Sequence, residues 1–182
     1  MSPDAAPEPV PPPDLTLLQR REIEARIVGP LLRAMEAEFG RERTLAVVRG
    51  VITDLAHRAG ADLARQLGDL SLEAFAACLP TWNAGGALEM EVLERSPTAL
   101  AFNVTRCRYA EMYRALGLAD LGFALSCSRD GALAGGFNPA IRLARSQTIM
   151  EGAPFCDFRF RMGEGDGDGD GDDPSDPGRA SA

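Results

Sequence analysis

The sequence predicts an α+β domain in which a helical N-terminal half packs on a small antiparallel sheet made of two hairpins with connecting helices. Three observations predict it. Apolar residues recur at helical spacing through residues 14–67. At Leu88 the period changes to strict alternation, Leu88-Glu89-Met90-Glu91-Val92, and after the turn material Ser96-Pro97-Thr98 extended patterning resumes over residues 99–105. Residues 142–150 and 155–162 form a second extended pair around Glu151-Gly152-Ala153-Pro154. Helices first, then strand pairs separated by helices, is the α+β order.

Taken in order, residues 1–13 are dominated by proline, which fixes φ and removes backbone donors, so they predict a disordered arm. Asp14 is placed to cap the first helix, whose apolar stripe is Leu17, Leu18, Ile23, Ile27, Leu31, Leu32 and Met35. Gly29-Pro30 should kink or break that helix, and Gly40 should end it. A second helix is expected over residues 43–59, with His57 near its terminal carbonyls, and a short third one after Gly60. Ser71 signals the start of a short helix through Cys78 that ends at Pro80. Cys78 reads as a small buried residue, and Trp82 as a core plug or the apolar wall of a cleft. Residues 108–116 and 118–133 read as helices divided at Gly117. Residues 163–182 alternate Gly with Asp and bury nothing, which predicts a second disordered segment and leaves one domain over residues 14–162.

Charge follows the same division. The C-terminal segment holds seven acids and Arg179 and the N-terminal arm two acids, so the net −8 of the 182 residues belongs to the ends and the folded part is neutral. A neutral body offers no global field for nucleic acid or an anionic membrane. The run from Asp166 to Gly171 suits a calcium loop only superficially, since the twelfth ligand position is Pro177. No signal peptide or bilayer-length apolar run is visible, and four cysteines without a CxxC pair do not make a disulfide framework. Reduced thiols and a cytoplasmic location are the expectation.

Chemistry concentrates between Asn103 and Met162, where three of the four cysteines lie with acids nearby: Cys107 with Glu111, Cys127 with Asp130, Cys156 with Asp157. On helices, Cys107, Glu111 and Arg114 share a face, as do Phe123, Cys127 and Asp130. Such pairs suit a general acid/base, a nucleophile with its base, or metal ligands, and equally a packed thiol beside a capping acid. No metal is expected, because no cysteine pair has structural-site spacing and no histidine is near. Arg145 and Arg159, on the two arms of the last hairpin, are candidates to clamp a carboxylate, with an exposed salt bridge as the competing reading. Tyr113, Asn138, Thr148 and Trp82 complete the candidate binding residues. No cofactor fingerprint is present.

The segments Phe102-Asn103-Val104-Thr105-Arg106-Cys107-Arg108-Tyr109-Ala110-Glu111-Met112-Tyr113, Leu125-Ser126-Cys127-Ser128-Arg129-Asp130, Gly136-Phe137-Asn138-Pro139, Arg145-Ser146-Gln147-Thr148-Ile149-Met150-Glu151-Gly152 and Cys156-Asp157-Phe158-Arg159-Phe160 resemble, in order and spacing, the L-2-amino-thiazoline-4-carboxylic acid hydrolase family. The resemblance covers roughly residues 23–162. Phe155 departs from the polar residue, often His, expected before the last cysteine. What the resemblance implies is a hydrolase that opens a cyclic amidine-like C–N bond, giving a carbamoyl cysteine from a thiazoline, as in bacterial cysteine formation. The substrate would be a small carboxylate or heterocycle. A binding or sensor domain of the same fold is the alternative.

Overall fold

A computed structural model describes residues 15–163. The expected disordered ends and the expected cap at Asp14 lie outside those residues. Helix α1 (Leu17–Phe39) is instead opened by a reciprocal cap: Thr16 Oγ1 accepts from the Gln19 amide at 3.2 Å, and the Thr16 amide donates to Gln19 Oε1 at 2.9 Å. Pro30 does not break α1. It stands on the exposed side of the helix, where water can serve the carbonyl it leaves without a donor, and the preceding Gly29 has no Cβ for the proline ring to meet.

Gly40 ends α1 at φ 84°, and α2 (Arg41–Leu67) follows at once. Gly60 does not divide α2, and His57 lies exposed inside it rather than at its end. Two short helices, α3 (Leu72–Ala76, capped by Ser71) and α4 (Leu79–Trp82), lead to the sheet, with Pro80 in the first turn of α4 rather than terminating its predecessor. Cys78 between them is half-buried.

The sheet contains β1 (Leu88–Arg95), β2 (Ala99–Cys107), β3 (Ile141–Ala144) and β4 (Cys156–Met162), all antiparallel, in the order β1-β2-β4-β3. Between its two hairpins run α5 (Arg108–Ala115), α6 (Ala119–Gly122), a π-helical turn over Phe123–Cys127, and α7 (Arg129–Phe137). The single helix expected over residues 118–133 is therefore interrupted by a π turn, a feature that re-aims side chains and is common at sites.

The second hairpin is shorter than its sequence pattern. Asp157 accepts hydrogen bonds from the Ser146 and Gln147 amides and the Ser146 hydroxyl, at 2.7–3.2 Å. Those amides are withdrawn from the ladder, so pairing ends at Ala144. The chain then makes a 3-10 turn (Ile149–Glu151) capped by Thr148 and closed by Gly152 at φ 100°.

The core lies between the inner sheet face and the helices. Phe75 joins the rings of Trp82, Phe137 and Phe160 at centroid distances of 5.6, 5.4 and 5.2 Å, and Phe102 stacks on Phe158 at 4.9 Å. Helix α1 buries Ala25, Gly29 and Leu32, not the whole expected stripe: Ile23, Ile27 and Leu31 form a second apolar face that is exposed, as do Val47, Val51 and Leu55 on α2.

Candidate active site

One cavity of about 140 Å³ opens between α1, α2, the π turn and the inner sheet face. An apolar cavity of this order holds a single small ring. Trp82, Leu88, Phe102, Val104, Leu133, Met150 and Phe158 supply apolar walls, and Leu17, Ala56 and Ala59 close the helical side. Cys107, Cys127 and Cys156 all reach this cavity from three different elements, together with Asp130 and Arg145.

Each thiol is placed for a local reason. Cys107 is the last residue of β2 and the residue before α5, with extended φ −132°. Burial raises its pKa, while the Ala110 and Tyr109 amides at the start of α5 pull the other way and do not prevail. Cys127 closes the π turn, and burial, then the Asp130 carboxylate, push its thiol well up. Cys156 opens β4, and its sulfur accepts the Ile149 amide at 3.1 Å. Burial pushes Cys156 up to about 11. All three thiols are therefore protonated near neutral pH, and each thiolate would oppose the others.

Asp130, in the first turn of α7, accepts from Arg145 Nη1 at 2.6 Å, and Arg145 Nη2 donates to the Cys127 carbonyl at 3.1 Å. The Arg145 guanidinium also lies 5.1 Å from the Phe158 ring centre and 5.7 Å from that of Phe123. Asp130 lines the cavity, and burial raises its pKa against the pull of Arg145, Arg129 and Arg21. Burial opposes the Arg145 charge as well, but Asp130 and the neighbouring sulfurs leave its pKa raised.

The remaining sequence candidates lie elsewhere. Glu111 is on the surface, paired with Arg106 at 2.8 Å, because Cys107 precedes α5 and the helical i, i+4 relation does not extend to it. Arg114 bonds the Ile149 carbonyl. Asp157 organises residues 146–147, as described; burial opposes its charge, yet the Ser146 and Gln147 donors leave its pKa lowered. Arg159 faces the other side of the sheet, donating to the Phe102 and Phe158 carbonyls and to Asn103 Oδ1 at 2.8–3.0 Å. The expected Arg145–Arg159 clamp is not formed: Ala144 pairs with Arg159, so Arg145 falls opposite Phe158, and one residue of register changes the face.

Tyr113 is packed in the core, where burial raises its hydroxyl to about 12. Asn138 ties the end of α7 to the Leu70 carbonyl and the Ala140 amide, and Thr148 is buried against Glu151. Trp82 does line the cavity.

Sequence reasoning missed Arg21, Tyr109, Ser126 and Arg129 as lining residues. Arg21 carried no signal, coming from the first helix, far upstream of the cysteine-bearing segment. Arg129 could have been found from its place beside Asp130. Among the described residues no group of three or more His, Cys, Asp or Glu side chains is placed to hold a metal, and no helix is long and apolar enough to cross a membrane.

Helices packed on a four-stranded antiparallel sheet, with a small cavity and converging polar groups between them, define a small α+β domain. The model of the L-2-amino-thiazoline-4-carboxylic acid hydrolase family matches residues 20–160, and the chain belongs to that family. No curated protein matches the sequence. The solved structures that align with the chain include two of different kinds. One is the phenol-responsive sensory domain of the transcription activator PoxR with phenol, at 14% identity, 75% coverage of this chain and 73% of that one, TM-score 0.48. The other is a trafficking protein particle complex subunit 3 from Naegleria fowleri covalently bound to palmitic acid, at 11% identity, 80% and 96% coverage, TM-score 0.49. Likeness at this level speaks for neither activity nor ligand.

Proposed function

We propose that the protein is a small-molecule hydrolase that opens a cyclic amidine-like C–N bond, with a 2-amino-thiazoline carboxylate as the model substrate. The observation that carries this reading is the meeting of Asp130, Arg145 and three thiols in one ring-sized cavity of a chain belonging to this hydrolase family.

Asp130 is the proton carrier in this scheme. Burial makes it more basic than a surface carboxylate, and Arg145 fixes its orientation. The thiols, held protonated, do not compete for that role. Asp130 takes a proton from water as the oxygen bonds to C2, and the ring nitrogen receives that proton. The tetrahedral carbon then collapses: its hydroxyl becomes a carbonyl, the C2–N bond breaks with its electrons on nitrogen, and the hydroxyl proton follows them. One water is consumed, its oxygen ending on C2 and both protons on nitrogen.

The test is to incubate the purified protein with thiazoline carboxylates and hydantoin-like rings and follow ring opening. The wild type is expected to turn over at least one of them, and Asp130→Asn to lose turnover by roughly 10² to 10⁴. A ring that binds without opening would sink the enzyme and favour a second reading, a non-catalytic sensor. That reading draws on the pairing of Asp130 with Arg145 and on the protonated thiols, features that suit binding without chemistry.

A further inference from the structure

Arginine accounts for most of the charge around the cavity, and its guanidiniums are not equally engaged. Arg145 has its carboxylate, its carbonyl and two flanking rings. Arg21 and Arg129, from α1 and the start of α7, also line the cavity with side chains only 15% and 17% exposed. Arg21 spends one nitrogen, Nη1, on both oxygens of Glu24 at 2.9 and 2.7 Å; its Nε and Nη2 have no acceptor among the described residues. Arg129 donates through Nε to the Leu125 carbonyl at 2.9 Å, while its Nη2 stands 3.7 Å from Glu24, beyond hydrogen-bond reach.

We infer that Arg21 and Arg129, rather than Arg145, hold the carboxylate of the pocket's ligand. The inference rests on the reading of the cavity as a small-molecule site. Charge agrees: three guanidiniums against the carboxylates of Asp130 and Glu24 leave one positive charge, the complement of one carboxylate. Arginine cannot shed its proton to relieve burial, and two planar forks with free N–H groups match the two oxygens of a carboxylate. Burial, and then Arg21 beside it, disfavour the Arg129 charge by more than Glu24 offsets, so an anion beside the two removes an electrostatic cost. The cavity of about 140 Å³ limits what the anion is attached to. A dianion would overcompensate the site, and a neutral ring would leave both forks unmatched.

The test uses isosteric probes, benzoate and benzamide, titrated calorimetrically into the full chain. Wild type should prefer benzoate by 10-fold or more. Arg129→Gln and Arg21→Gln should each reduce that preference to under about 3-fold with benzamide affinity unchanged. Arg129→Lys, which keeps the charge and loses the fork, should recover part of it and guards against a folding defect in the glutamine variant. Equal binding of the two probes by wild type, or collapse of the preference in Arg145→Gln but not in Arg21→Gln or Arg129→Gln, would overturn the assignment. Failure of the hydrolase reading looks different: thiazoline carboxylates would be held through Arg21 and Arg129 and never opened.

Discussion

Cys156 shows how a residue legible as chemistry in the sequence acquires its properties from its surroundings. The alternation of β4 already put Cys156, Phe158 and Phe160 on one face, and the structure packs that face inward. Nothing in the sequence said that its sulfur would accept the Ile149 amide, or that burial would lift its pKa from 9.0 to about 11. A thiol whose pKa is raised by folding supports the fold fully below the unfolded value and loses that support as pH rises through the folded one. Thermal stability should therefore fall between about pH 9 and about pH 11, and Cys156→Ala should flatten that limb, as melting curves across the range would show. Glu111 failed as a partner for Cys107 for an equally local reason: an i, i+4 relation requires both residues to be helical, and Cys107 is extended.

At the scale of elements, the α2–α7 contact is hidden in the sequence because Gly60 reads there as a helix boundary. Gly60 and Gly136 sit where the two helices touch: a Cβ on Gly60 would strike the Leu133 carbonyl, and one on Gly136 the carbonyl of His57. This approach draws α7 against α2, and with it Asp130 and Arg129 to the cavity wall that Ala56 and Ala59 share. Gly136→Ala should destabilise the protein by about 2 to 3 kcal/mol in chemical denaturation, although alanine is the better helix former. A variant as stable as wild type would mean that the helices separate without penalty. Helices α1 and α2 expose Ile23, Ile27 and Leu31, and Val47, Val51 and Leu55; periodicity alone puts the first three in the α1 stripe, because a helix apolar on two faces does not declare which one the domain uses.

For the molecule as a whole, one carboxylate joins three helices: Asp120 on α6 accepts from Arg33 of α1 at 2.6 Å and from Arg41 of α2 at 2.7 Å. The Arg33 hydrogen bond, and with it Arg41, holds its pKa down at about 2 against the opposing effect of burial. A depressed carboxylate pKa supports the fold above the unfolded value and is lost as pH falls through the folded one. Stability should decline from about pH 4 to about pH 2, and Asp120→Asn should remove that component of the acid limb while lowering stability at neutral pH; the pair exposes much of its surface, so the effect is small and salt-sensitive. The sequence by itself determined the class of fold, the position of the first hairpin and the segment whose thiols line the cavity, because alternation, turn residues and the clustering of thiols and acids are local properties. It also carried the family, through ordered motifs between Phe102 and Phe160 that the match over residues 20–160 includes. Only the tertiary structure decided which charges meet. Arg145 and Arg159 were separated by one residue of strand register, and Arg21 and Arg129, more than 100 residues apart, were brought to one cavity and to the same Glu24 carboxylate. Direction across a sheet and proximity between distant helices are set by pairing and close packing, which no local pattern encodes.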